Sequence, residues 1–552
     1  MDTPPHRNRW AVSGLVMLLT LTLFVRVFNP TGWLGSDDSG YFAAAEQIQQ
    51  GEPIQRVHHH YARMAMIVPV ALSISIFGST PTAVWLPSLL ASLLCVTLVA
   101  WIGEMLWGWR EGLLAALIVS MIPYFRVLST AGFPDVHVCL WTAGSLALAI
   151  RGLGCAHTKN AFGLLLASGM CAAIATLTKI LTAPLAVAII LFIFRGPCRS
   201  KVGRWRFAGV FCAGGVAAVL VEGLFFRWAA GDFLFNYHAH VAALHNVPVV
   251  GLTGAPATAS TWNLAMERLT MMFHPLVSGW GTIAVGFWGV CAVAIAFRTT
   301  RWLALWSVLT YLLLAICPVG IKDGAIRLNP VFHGRHILPL CIPFALCAAH
   351  LVGRIGRAKF AAIRRGAFPM AAVCVLGFAV SDRHHLNGFI HRPTSRVGRA
   401  ITEMIHNVQW DREDCDRTPI FMTPSTYWRY RILFPKRLRS RLAVASDPHA
   451  PNWWMRTTSD IVQRQAPLPQ PQEAYLIATP RQLRGLPEQW DYGVSLPRRG
   501  LAAWRNVSPR VVIARLKNNT IQRVPASNNR RNRLVLLLGG PATGETVANL
   551  TP

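Results

Sequence analysis

The sequence predicts a polytopic α-helical membrane protein of about eleven spans, with helices on its outer face and a C-terminal soluble α/β or mixed domain. Three observations carry this expectation. Only 14% of the 552 residues are charged, and the mean hydropathy is +0.39. Apolar runs recur from Trp10 to Val380, most near the roughly 20 helical residues that cross a ~30 Å hydrocarbon core. Such runs are too long for barrel strands, and backbone in lipid must satisfy its own hydrogen bonds. Basic residues cluster in alternate loops between the runs, as membrane orientation requires.

The net charge of +29 does not point to nucleic acid, because much of the excess sits in short loops between spans and the rest in the C-terminal region. The twelve cysteines form no framework: Cys415 is alone in the tail, the others lie in or next to apolar runs, and no CxxC pattern occurs. The first run, Trp10 to Phe28, follows Arg7 and Arg9 like a signal sequence. It lacks a small-x-small cleavage site and continues into Asn29-Pro30, so an uncleaved anchor is expected.

The remaining spans fall near 83–103, 112–130, 135–151, 161–178, 180–194, 207–229, 279–297, 302–320, 336–353 and 367–381. The stretch 63–78 is short, opens on Arg63 and carries Pro69. If it does not cross and the N-terminus is cytoplasmic, the basic clusters fall inside: Arg195 to Arg206, Arg298 with Arg301, and Arg354 to Arg365. If it crosses, all of them fall outside. It therefore reads as an interfacial or re-entrant helix within a long outer loop, residues 29–82. Residues 1–381 form the membrane domain. Residues 382–552 form an extracytoplasmic domain with strand-like runs at 419–424, 474–479, 510–516 and 533–539 and a disordered end. The basic character of this tail suits anionic headgroups or polysaccharide, or an ordinary basic surface.

This topology gathers the chemistry-bearing residues on the outer face. In Gly35–Gly51, Asp37 and Asp38 precede a helical pattern that Ser36 or Asp37 can cap and a left-handed Gly51 can end. The two acids can take a proton from an acceptor hydroxyl or amine, or simply cap the helix. Asp135 follows Pro134 at the outer end of a span, where it can serve the same chemistry or a helix start. Lys179 interrupts apolar sequence at the outer surface. With Arg26 and Arg63 it can cradle a lipid-linked phosphate, or each can snorkel to the interface. The outer loops are rich in histidine: His58, His59, His60, His238, His240, His245 and His274. These orient substrate or face water. Clustered imidazoles can also bind a divalent ion, for which the HxH at His238 and His240 is a weak spacing.

At these residues the sequence resembles the GT-C superfamily of integral-membrane glycosyltransferases. Within it, the chain is similar to the branch of protein O-mannosyltransferases and lipid A aminoarabinose transferases. The family's acidic pair followed by tyrosine reads here Asp37-Asp38-Ser39-Gly40-Tyr41, and its short helix ending Phe-Gly reads 63–78. The order continues with Leu86-Pro87-Ser88, Pro134-Asp135, Thr178-Lys179, Gly231-Asp232 and Arg335-His336-Ile337-Leu338-Pro339. One departure stands out. The aminoarabinose transferases carry Glu-Lys-Pro-Pro before the short helix, and here the chain reads His58-His59-His60-Tyr61-Ala62-Arg63.

The resemblance covers roughly residues 10–380. It implies a bacterial inner-membrane enzyme that moves a sugar from a polyprenyl-phosphate donor to a glycan, lipid or protein acceptor outside. By analogy Asp37 is the general base or an acceptor-orienting acid, Asp38 and Asp135 assist, Tyr41, Arg63, Lys179, Arg26, Arg335 and His60 bind substrate or its phosphate, and no divalent ion is required. Two alternatives remain open on the sequence: a transporter or flippase of a lipid-linked substrate, and an inactive membrane scaffold. A flippase needs polar residues through the membrane depth, and Glu222 is the main acid inside a span.

Overall fold

The computed structural model describes residues 9–28, 30–54, 59–155, 158–195, 201–246, 261–274, 278–316, 318–322, 325–328, 334–357 and 361–382, with short pieces of the tail between 420 and 522. Helix α1 (Arg9–Val27) leads to α2 (Asp37–Gln49), α3 (Met64–Phe77), α4 (Pro81–Trp107), α5 (Trp109–Met121) and α6 (Pro123–Leu128). Then come α7 (Asp135–Leu153), α8 (Thr158–Thr178), α9 (Ala183–Arg195), α10 (Lys201–Ala230), α11 (Phe235–Asn246) and α12 (Thr261–Thr270). The last helices are α13 (Phe287–Ala296), α14 (Arg301–Ile316), α15 (Cys341–Gly356) and α16 (Ala361–Ser381).

Six described segments are long and apolar enough to cross a membrane: α1, α4, α7, Lys159–Thr178 of α8, Gly203–Ala230 of α10, and Leu338–Gly356, in which a 3-10 turn runs into α15. The protein is a multi-pass membrane protein. Helix α3 has 14 residues, a rise of ~21 Å that falls short of the hydrocarbon core.

Two apolar runs are shorter helices than their hydropathy suggests. The run 112–130 breaks at Ile122 (φ −59, ψ 125), because Pro123 pushes the residue before it out of the helical region and then opens α6. The run 302–320 ends at Ile316, and Pro318–Lys322 forms strand β1, antiparallel to β2 (Ala325–Leu328).

Small residues let the helices approach closely. A Cβ on Gly169 of α8 would strike the Phe211 carbonyl of α10, and one on Gly214 of α10 would strike the Leu166 carbonyl of α8. Helices α7 and α8 exchange hydrogen bonds, Ser145 Oγ to the Ser168 carbonyl at 2.8 Å and Ser168 Oγ to the Ser145 carbonyl at 2.7 Å. In the first turn of α5, buried Glu111 accepts from Arg357 Nη1 at 2.6 Å.

The chain divides into two compact units, Met1–Gly32 with Gly40–Ile390, and Trp33–Ser39 with His391–Pro552. In the second, the described strands are β3 (Ile420–Met422), β4 (Leu442–Val444), β5 (Arg456–Thr457), β6 (Glu473–Ala478), β7 (Val512–Lys517) and β8 (Thr520–Gln522). They make one mixed sheet in the order β5-β4-β3-β6-β7-β8, with β3 parallel to β4 and β6 and the other pairs antiparallel. Strand-like runs 419–424, 474–479 and 510–516 correspond to β3, β6 and β7, whereas 533–539 lies outside the described residues.

Candidate functional site

Asp37 and Asp38 open α2, and Gly51 follows its end at φ 71, the left-handed conformation that stops a helix. The two carboxylates have different surroundings. Asp38 is fully buried. Its Oδ2 accepts from the Leu34 and Gly35 amides at 2.6 and 3.2 Å, and its Oδ1 from the Ser36 and Ser39 amides at 2.6 and 3.1 Å. Gly35 makes this possible, because its φ of 64 turns successive N–H groups to one side as an anion-binding nest. Burial pushes the Asp38 carboxyl up to about 6, against the pull of the Leu34 and Ser36 amides and with a push from Asp37. Asp38 thus organises the start of α2, and Asp37 is half-buried beside it in sequence.

In the membrane unit, a second set of predicted residues comes together. Tyr41 of α2 is fully buried; Arg63 Nη1 donates to its hydroxyl and the guanidinium lies 5.5 Å from its ring centre. His60 meets the same ring edge-on at 5.1 Å, and the His59 ring lies tilted against His60 at 4.1 Å. Gly40 is required here, since a Cβ would run into the His60 ring. His58 lies outside the described residues.

Asp135 is the first residue of α7 and Lys179 follows the last residue of α8. Both are buried, and Lys179 Nζ donates to Asp135 Oδ1 in an ion pair. Asp135 Oδ2 is buried with no hydrogen-bond partner among the described residues. The acid therefore spends itself on Lys179 and not on its helix's amides, and Lys179 does not snorkel. Burial pulls the Lys179 ammonium below its ordinary value, Asp135 holds it up, and Arg335 and Arg63 pull it down further. These two arginines are thus within electrostatic reach of Lys179. Arg335 also rests 5.4 Å over the Phe133 ring, and Arg63 Nε is a buried donor without a partner among the described residues. Lys179, Arg63 and Arg335 thus form a group of cations within electrostatic reach of one another, a grouping that suits an anionic ligand such as a phosphate.

Arg26 stands apart from this group. It is buried in α1, donates to Ser92 Oγ of α4, and lies 5.2 Å over the Phe125 ring, with Arg126 its neighbouring cation. The two histidines of the HxH have separate partners in α11. His238 Nδ1 pairs with Asp232 Oδ2 at 2.7 Å, and His240 Nδ1 meets the Asn236 carbonyl at 2.9 Å. Residues two apart on a helix face different sides, so the two rings do not converge on one ion. Burial, with Arg63 adding to it, lowers the His240 pKa and keeps that ring neutral.

Some partners were not singled out from sequence. His137, two residues after Asp135, contacts Ser88 Oγ at 3.3 Å, and Ser88 belongs to the Leu86-Pro87-Ser88 pattern. A polar pair one turn into two apolar spans was the available signal. Asn236 had none, being a lone amide in helix α11.

The fold and the cationic group define a polytopic membrane protein that resembles the GT-C superfamily. Residues 68–222 match the family model described as dolichyl-phosphate-mannose-protein mannosyltransferase, a stretch that includes Asp135 and Lys179. The structure is similar to the crystal structure of ArnT from Cupriavidus metallidurans bound to undecaprenyl phosphate, with a TM-score of 0.57 and 14% identity over 87% of this chain and 96% of that one. Against the apo state of the same ArnT the TM-score is 0.59, with 15% identity over 86% and 93%. No curated protein sequence matches the chain.

Proposed function

We propose that the protein transfers a sugar from a polyprenyl-phosphate donor to an acceptor on the outer face of a bacterial inner membrane. The observation that carries this reading is the buried Asp135–Lys179 pair within reach of Arg63 and Arg335. Its fold is shared with an ArnT whose structure holds undecaprenyl phosphate. In this reading the chain crosses about eleven times, with the N-terminus cytoplasmic and residues 382–552 outside as a separate domain.

The reaction forms a bond from the acceptor oxygen or nitrogen to the sugar's anomeric carbon and breaks the bond from that carbon to the phosphate oxygen. Asp37 accepts the acceptor's proton, and the polyprenyl phosphate leaves with the bonding electron pair. Lys179, Arg63 and Arg335 stabilise the charge that develops on the phosphate, while Tyr41 and His60 hold Arg63 in place. Arg26 secures α1 against α4. The cations supply the charge stabilisation, so no divalent ion is needed, and the sugar is a hexose or a pentose. Purified protein in lipid nanodiscs is supplied with labelled polyprenyl-phosphate sugars and envelope acceptors, with and without EDTA. Labelled acceptor and released polyprenyl phosphate are expected in both. Lipid flipping without release would overturn the reading in favour of a flippase.

A pH prediction follows from Asp38. Protonating it sets an O–H against the amides that donate to one of its two oxygens and weakens the cage made by Leu34, Gly35, Ser36 and Ser39, so transfer falls as pH drops through about 6. Stability moves the other way. The folded pKa lies above the ordinary carboxyl value, so proton uptake between about 6 and about 4 favours the folded state. Parallel series of rate and thermal midpoint against pH check both signs.

A further inference from the structure

Glu222 is a buried acid inside a span that the proposed reaction does not use, and its surroundings give it a task. It lies buried in α10, and its Oε2 accepts from Asn236 Nδ2 of α11 at 2.9 Å. The same Nδ2 donates to the Leu177 carbonyl at 3.1 Å. A carbonyl only accepts, so the nitrogen of the Asn236 amide must face Leu177; the carboxyl of Glu222 takes the other proton and holds the amide in that orientation.

The Leu177 carbonyl lies in the last turn of α8, where carbonyls lack a helical donor. Asn236 therefore caps α8 from another helix, two residues before Lys179. From there the chain leaves the helix with Lys179 extended (φ −149, ψ 110). The Lys179 amide still donates to the Ala175 carbonyl at 2.9 Å, and its own carbonyl accepts from the Thr182 amide and Oγ1, both at 3.0 Å. The backbone at this corner is held on both sides, and the side chain is launched toward Asp135.

Helix α11 is itself fixed against α10. Asp232 caps its start through the Leu234 amide at 2.9 Å, the Phe235 ring stacks on Phe226 at 5.0 Å, and the Phe233 ring fills the space where Gly223 lacks a side chain. A rigid α10–α11 corner thus presents Asn236 to the end of α8.

We infer that Glu222 and Asn236 are positioning residues for Lys179, acting through the Leu177 carbonyl. Their bearing on catalysis rests on the transfer reaction proposed above; the geometry does not. The first test therefore needs no reaction. Full-length protein in nanodiscs is treated with the amine-reactive probe sulfo-NHS acetate, and acetylation of Lys179 is followed by mass spectrometry, with exposed Lys159 as the internal reference.

In the wild type Lys179 reacts slowly, because it is buried and paired. Asn236→Leu and Glu222→Leu are expected to speed it about fivefold, the factor one lost hydrogen bond is worth, with Lys159 unchanged. Glu222→Gln keeps an acceptor oxygen and is expected to react as the wild type does. Should Glu222→Leu fail to fold, half-buried Asn236→Leu still decides the matter. Lys179 rates equal to the wild type in a folded Asn236→Leu protein would overturn the inference.

The second readout is the KM for the lipid-linked donor. It is expected to rise in Asn236→Leu with kcat little changed, and to show no further rise when Asn236→Leu is added to Lys179→Ala. Additive effects would overturn action through Lys179. Altered reactivity in a protein that transfers no sugar would leave the positioning intact and reject the reaction.

Discussion

Asp37→Asn is expected to lower sugar transfer by about 10²- to 10⁴-fold, the range spanned by a positioned general base. The change is nearly isosteric. Asparagine begins a helix as well as aspartate does, so α2 should still start at residue 37. It cannot accept the acceptor's proton. Donor KM and thermal midpoint should therefore stay close to wild type while kcat collapses. Transfer by the variant equal to wild type would remove Asp37 from the role of base. Asp38→Asn makes a useful contrast, because it sets an amide donor against backbone amides that already donate to that side chain. Its expected signature is lost stability together with lost transfer, where Asp37→Asn loses transfer alone.

The second large effect concerns the buried ion pair. Asp135→Asn leaves the Lys179 ammonium buried among cations, with Arg335 and Arg63 nearby and its one carboxylate partner gone. Breaking such a pair from one side costs about 3–5 kcal/mol. Adding Lys179→Met removes the stranded charge, so the double variant should regain most of that stability. It should not regain transfer, since the phosphate loses its buried cation. Unfolding in detergent and transfer rates, measured on the two single variants and the double, check both halves. A double variant destabilised by the sum of the two single effects would show that the pair is not energetically coupled.

Much of the outer helix pattern was readable along the chain. Helix α2 falls within Gly35–Gly51, and Gly51 takes the left-handed conformation. Helix α3 has the short length that its apolar run suggested. The sequence also placed Asp135 and Lys179 at the ends of apolar runs and Asp37 in the loop after the first. These features rest on local chemistry: capping, hydropathy and charge are written in neighbouring residues. The breaks at Pro123 and Pro318 were equally local and were masked by hydropathy, which counts apolar side chains but not missing amide donors.

What each polar group does was decided by the tertiary fold. Two adjacent aspartates look alike in sequence, yet the turn at Gly35 wraps four amides around Asp38 and none of those bonds goes to Asp37. Asp135 and Lys179 are 44 residues apart and meet because α7 and α8 pack side by side. Arg26, grouped by sequence with the phosphate cations, instead reaches Ser92. Asn236 reaches Leu177 across 59 residues. Residue type and span order determined that this is a multi-pass membrane protein with acids and cations at helix ends. Which charge meets which partner depended on helix packing, because burial makes pairing compulsory without naming the partner.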